Sequence, residues 1–183
     1  MRVAPVGLMY HDDIDRLREV AHVSSQITHA HDLGKEGAAL QAYSVAVATA
    51  ADRSTPLDAG VFVARLRRFV QHEVFRERVD SIGRLLEGAE KRRVIEELGH
   101  GIEAFNSVPA AIFCFLSHPG SFEEAIVYAI SLGGDTDTIA AMAGAISGAY
   151  LGIEAIPGDW QRRLENGDYI RALGEDLWQL KCG

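Results

Sequence analysis

The run Asp135-Thr136-Asp137-Thr138 follows directly on Gly133-Gly134. Two carboxylates and two hydroxyls in one short stretch are hard oxygen donors, the chemistry that suits Mg²⁺ or Ca²⁺. Asp135, Asp137 and Thr138 can converge on one point if the run turns into a helix. Free N–H groups at that helix start would favour an anion in the same place. A second reading competes: short Asp/Thr clusters are common helix caps, and on pattern alone that structural role is the commoner one. It accounts for one Asp and one Thr, not for both carboxylates.

The neighbouring elements must position these groups. Glycine takes the left-handed conformation without steric penalty, so Gly133-Gly134 predict a stop for the preceding helix. The helix behind the run, Asp137 to Gly152, carries Ala140, Ala141, Gly144, Ala145, Gly148 and Ala149. Such small residues let neighbours pack closely on several sides, which would hold the helix start rigid.

Almost no period-2 alternation occurs elsewhere, and 3.6-residue periodicity dominates. Asp12-Asp13 head an amphipathic helix from Ile14 to Ile27. Glu36 to Ala51 is apolar nearly all round and is expected at the centre. Further helices are expected over Asp58–His72, Val79–Glu87, Lys91–Leu98, Pro109–Leu116 (with Pro109 in the first turn), Phe122–Ser131, around Trp160, and Asp168–Lys181. The last carries Ile170, Leu173, Leu177 and Leu180 on one face, and Trp160 and Trp178 read as packing residues. The fold class is all-α, a compact multi-helix bundle in a single domain over residues 1–183.

With 48% hydrophobic and 24% charged residues, the chain has material for a real core. A net charge of −8 argues against a broad nucleic-acid-binding face. Cys114 and Cys182 form no CxxC pair, so neither a zinc knuckle nor a disulfide framework is expected. No signal peptide or membrane-length apolar run is recognisable, which gives a cytoplasmic expectation, with no membrane partner.

The motif GGDTDTIAAMAGAISGAYLG resembles the C-terminal signature of the ADP-ribosylglycohydrolase family, all-helical enzymes that remove ADP-ribose from proteins. MRVAPVGL (Met1–Leu8), SSQITHAHDLG (Ser24–Gly34) and ELGHGIEAFNSVPAAIFCFL (Glu97–Leu116) resemble other family segments, in the family's order. The likeness spans nearly the whole chain. It is strongest to the branch acting on serine-linked ADP-ribose, poly-ADP-ribose and O-acetyl-ADP-ribose. The resemblance implies a two-ion Mg²⁺ site with Asp135, Asp137 and Thr138 among the ligands, and Asp135 and Asp137 as catalytic residues. It also implies that His29 meets the substrate near its phosphates or ribose, that Ile102 packs on the adenine, and that Gly101 lets the backbone approach. Read without the resemblance, His29 is a cap or surface residue and Ile102 a core residue.

Family chains are about twice as long, and their N-terminal half carries a Thr-Asp-Asp cluster and a glutamate that are missing here. The chain therefore looks like a C-terminal half that offers one side of a two-sided site. Apolar surface left open would favour a complementary half or self-association. Two alternatives stand beside hydrolysis: a non-catalytic ADP-ribose-binding relative, and a metal-dependent phosphohydrolase using the His11-Asp12 or His31-Asp32 pair. Release of ADP-ribose rather than phosphate would separate the last from the first.

Overall fold

The computed structural model describes Met1–Gly183 and contains eleven α-helices, one 3₁₀ turn and no strand. In order these are α1 (Ala4–Met9), α2 (Ile14–Gln26), α3 (Asp32–Thr49), α4 (Ala59–Phe69), α5 (Glu73–Leu85), α6 (Lys91–Leu98), α7 (Ala104–Ser117), α8 (Phe122–Ser131), α9 (Thr136–Leu151), the turn Ile153–Ala155, α10 (Gly158–Arg163) and α11 (Gly167–Cys182). The all-α expectation holds. No helix is long and apolar enough to cross a membrane.

Helix α3 is the axis of the bundle. From Glu36 to Ala48 nearly every residue is buried, and α1, α2, α4, α7 and α9 pack around it. A helix apolar all round has this one stable place. Small residues set the spacing. A Cβ on Gly7 would overlap the Ala42 carbonyl, so α1 lies directly on α3. A Cβ on Gly37 would come within 2.8 Å of Ala104 Cβ, so α7 closes on α3 from another side. On α9, a Cβ on Gly144 would stand 3.0 Å from Ile126 Cδ1 of α8.

One buried charge is built into this core. Glu36 accepts from the Arg18 guanidinium at 2.9 Å and from the Gln71 N–H at 2.7 Å. Arg18 also lies over the Phe69 ring, 3.8 Å from its centroid. An ion pair this buried offsets its desolvation only with such further hydrogen bonds, and here they tie α2 and α3 to the α4–α5 junction.

Four expectations need correction. Residues Ala4–Met9 form a helix that the pattern did not announce, with Pro5 in its first turn. Helix α5 starts at Glu73 rather than Val79, because the His72 imidazole caps it by accepting from the Val74 N–H at 3.2 Å. Pro109 lies inside α7, not in its first turn: the helix starts at Ala104, and proline there removes one donor from the ladder and crowds the carbonyl four residues back. Helix α11 buries no residue, with Leu173 48% and Leu180 72% exposed, and Trp178 is 64% exposed rather than packed. Periodicity shows that α11 has an apolar face, not that anything covers it. Trp160 does pack, edge-on to Phe122.

Beside α11, an apolar groove of about 820 Å³ runs between α1, the Gly144–Gly148 face of α9 and α11. The basic runs Arg65–Arg68 and Lys91–Arg93 are solvated helix faces. Their ion pairs are Arg67–Asp80 at 2.7 Å, Arg92–Glu96 at 2.9 Å and Arg93–Glu97 at 2.8 Å.

Candidate active site

Helix α8 ends at Ser131 with Leu132 as its C-cap, and the chain reverses through Gly133 (φ 74°) and Gly134 (φ 69°), both left-handed. A side chain at Gly134 would also overlap the His100 carbonyl, so this turn needs glycine twice over. Asp135 then stands at the N-cap of α9, and its backbone N–H donates to the His100 carbonyl at 2.9 Å.

The Asp135 carboxylate does not cap the helix. Three other Asp and Ser N-caps of this chain do cap, whereas Asn166, like Asp135, does not. Asp13 accepts from the Arg16 N–H at 3.0 Å, Asp58 from Val61 at 2.9 Å and Ser121 from Glu124 at 3.2 Å. Those residues have ψ near 88°, 101° and 112°, with Asp58 and Ser121 in the extended geometry usual for a cap. At Asp135 ψ is 62°, no cap bond forms, and the residue lines a cavity.

That cavity has a volume of about 590 Å³ and gathers residues from distant parts of the chain. Asp135 and Thr138 from α9 form one wall. Arg2, Thr28 and His29 form another, and Ile102, Ala104 and Ser107 a third. Gly34, Gly37, Ala38 and Gln41 supply residues of α3. Of the residues singled out in the sequence, Asp135, Thr138, His29 and Ile102 meet here. Asp137 is exposed and lies outside the lining, as does Gly101. The space beside Gly101 is taken by Glu103, whose Oε2 would stand 2.5 Å from an added Cβ. Ile102 is 80% exposed at the cavity edge, an apolar surface rather than a core residue.

The His29 wall is an ordered polar chain. Arg2 donates to Thr28 Oγ1 at 3.0 Å, and Thr28 Oγ1 lies 2.8 Å from His29 Nδ1. The hydroxyl can give its proton to Nδ1 or accept one from it, so the direction of this bond follows the imidazole tautomer. Gly34 makes room for the ring, since a Cβ there would stand 2.9 Å from His29 Cβ.

Two further residues had no sequence signal. Gln41 is almost fully buried in the lining; its Nε2 donates to the Met142 carbonyl at 3.0 Å, while its Oε1 has no partner. His100 acts through its backbone carbonyl and through Nδ1, 2.9 Å from the Leu132 carbonyl. Nothing in residue type announces a backbone contact across 35 positions.

The donor set is hard and oxygen-rich, which fits Mg²⁺, but it is one-sided: no three His, Cys, Asp or Glu side chains cluster to hold a metal. The His-Asp pairs serve the scaffold. His11 Nδ1 bonds the Leu8 carbonyl, Asp12 pairs with Lys181, His31 caps α3 by accepting from Leu33, and Asp32 pairs with Lys35 at 2.7 Å. None of the four lines the cavity.

The family model for ADP-ribosylglycohydrolase matches residues 1–183. The chain belongs to the ADP-ribosylglycohydrolase family. Among curated relatives it is 38% identical to the Bos taurus protein named ADP-ribosylhydrolase ARH3, over 98% of this chain and 56% of that protein. It is 37% identical to the Homo sapiens ARH3 over the same shares. An uncharacterized protein of Archaeoglobus fulgidus is 31% identical over 98% of this chain and 57% of its own length. This ADP-ribosylglycohydrolase chain thus spans little more than half the length of these relatives. Its cavity carries Asp135 and Thr138 of the aspartate signature on one wall and His29 of the Thr-His segment on the next.

Proposed function

We propose that this chain supplies one side of the catalytic site of an Mg²⁺-dependent ADP-ribosyl hydrolase. The bond cleaved is the glycosidic bond of ADP-ribose attached to protein, through serine or in poly-ADP-ribose, or that of O-acetyl-ADP-ribose. One observation carries the reading. The Asp135 side chain makes no cap bond to α9, and Asp135 and Thr138 line a cavity that His29 and Ile102 also line. The relatives named ADP-ribosylhydrolase support the same substrate class.

In this reading Asp135, Asp137 and Thr138 hold Mg²⁺, with Asp135 and Thr138 on the cavity side. Such an ion would supply a grip on the ribose hydroxyls and on an attacking water. Glycosyl cleavage passes through an oxocarbenium-like state, which carboxylates close to the anomeric carbon stabilise. The His29 imidazole and the guanidinium of Arg2 give the diphosphate a hydrogen-bonding partner and a positive charge in the same cavity. Ile102 offers the adenine an apolar face.

A complementary half, the part of the relatives' length without a counterpart here, would bring the second ligand cluster and the glutamate.

Calorimetric titration of the chain with ADP-ribose, in Mg²⁺ and again in EDTA, tests the reading. The expected result is Mg²⁺-dependent binding that Asp135→Asn removes. Equal binding by wild type and Asp135→Asn, or binding unaffected by EDTA, overturns it.

A further inference from the structure

We propose that His100 is a positioning residue that brackets the Gly133–Asp135 turn and fastens it to the loop carrying Ile102. In its link to ligand binding this rests on the reading above; in its geometry it does not. His100 grips the turn at both ends. Ahead of the two left-handed glycines its Nδ1 lies 2.9 Å from the Leu132 carbonyl, and beyond them its own carbonyl accepts from the Asp135 N–H at 2.9 Å. A carbonyl can only accept, so Nδ1 carries the proton. The approach is so close that no side chain fits at Gly134.

The bracket is itself anchored from behind. Gly99 is left-handed (φ 78°), and its N–H donates to the Ile95 carbonyl at 2.9 Å to close α6. Asn106 sits in the space a Gly99 side chain would need, and donates to Glu103 Oε2 at 3.0 Å. Arg78 of α5 reaches Asn106 Oδ1 at 3.4 Å and also the Glu97 carbonyl. His100 does not line the cavity, so it touches no ligand there. It joins the two residues that do, Asp135 on one wall and Ile102 two positions after His100 on another. The carboxylate side and the apolar side of the cavity are therefore held as one body. A catalytic group displaced by about 1 Å can lose on the order of 100-fold in rate, which is why such support matters.

The test compares wild type, His100→Ala and His100→Asn as full chains. Backbone amide exchange is read by NMR at Asp135 and Thr136, with the centre of α3 as internal control. ADP-ribose affinity in Mg²⁺ is read alongside. His100→Ala removes the bond to Leu132 and is expected to speed exchange at Asp135 and Thr136 by about 10-fold or more. The α3 amides stay unchanged. His100→Asn, whose side-chain N–H can reach the same carbonyl, restores protection to within about 3-fold of wild type. Affinity follows the same order. Unchanged exchange in His100→Ala, or exchange in His100→Asn as fast as in His100→Ala, overturns the bracket. Normal ADP-ribose affinity in His100→Ala overturns its role in the site. If wild type itself binds no ADP-ribose, the ligand reading fails while the exchange pattern still decides the bracket.

Discussion

Asp135 and Thr138 stand one helical turn apart at the start of α9 and open into the same cavity, with neither spent on an Asp135 cap. An aspartate used as a cap would contribute about 1 kcal/mol to stability. Asp135→Ala is therefore expected to shift the urea midpoint hardly at all, while ADP-ribose affinity in Mg²⁺ falls by about 100-fold or more. Asp58→Ala is the control, since Asp58 does cap α4 and its loss should cost about 1 kcal/mol. Equal destabilisation by the two changes would return Asp135 to the role of a cap.

Gly134→Ala should be among the most damaging single-methyl additions in the chain. The residue is left-handed, and the new Cβ would overlap the rigid His100 backbone rather than a flexible side-chain end. Strain of this kind costs about 1–3 kcal/mol, and here the steric overlap adds to it. Gly120→Ala, with open space and no positive φ, should stay near wild type. Thermal unfolding of both variants reads the difference.

The pH response should carry a contribution from His22. Burial and the neighbouring Arg18 guanidinium hold its imidazole below the ordinary value, and its Nε2 has no hydrogen-bond partner. Folding therefore disfavours the protonated ring. The contribution is fully present above the unfolded histidine pKa of about 6.5, and is lost as pH falls through the lower folded value. Urea melts of wild type and His22→Gln between pH 7 and pH 5 should show the variant losing less stability on acidification. Parallel curves would remove His22 from the account.

The two cysteines should react unequally. Burial pushes the Cys114 thiol up to about 12, whereas Cys182 is exposed near the C-terminus. Thiolate is the reactive form, so native alkylation at neutral pH should modify Cys182 alone, with Cys114 labelled only after unfolding. Mass spectrometry of labelled peptides decides; prompt labelling of both would show that α7 opens readily.

Much of the architecture was legible because it depends on near neighbours. Lys91–Leu98 and Phe122–Ser131 fall where periodicity placed them, and Gly133-Gly134 take the left-handed backbone expected of them. The burial of α3 followed from its being apolar on all sides. What went unread was set by contacts beyond the local window. Helix α5 gained its extra turns from the His72 cap, and α11 shows an apolar stripe of which no residue is buried.

The site divides in the same way. Residue types and short spacings determined that Asp135, Asp137 and Thr138 are oxygen donors at a helix start, and that glycines must precede them. Only the tertiary structure decided which of them face the cavity, that Asp135 is freed from capping, and that His29, over a hundred residues away, stands in the same cavity. Only it assigned His100 a role, because that role runs through a backbone carbonyl. Backbone conformation follows from atoms within a few residues, whereas the meeting of distant side chains follows from how whole helices pack, which no single segment encodes.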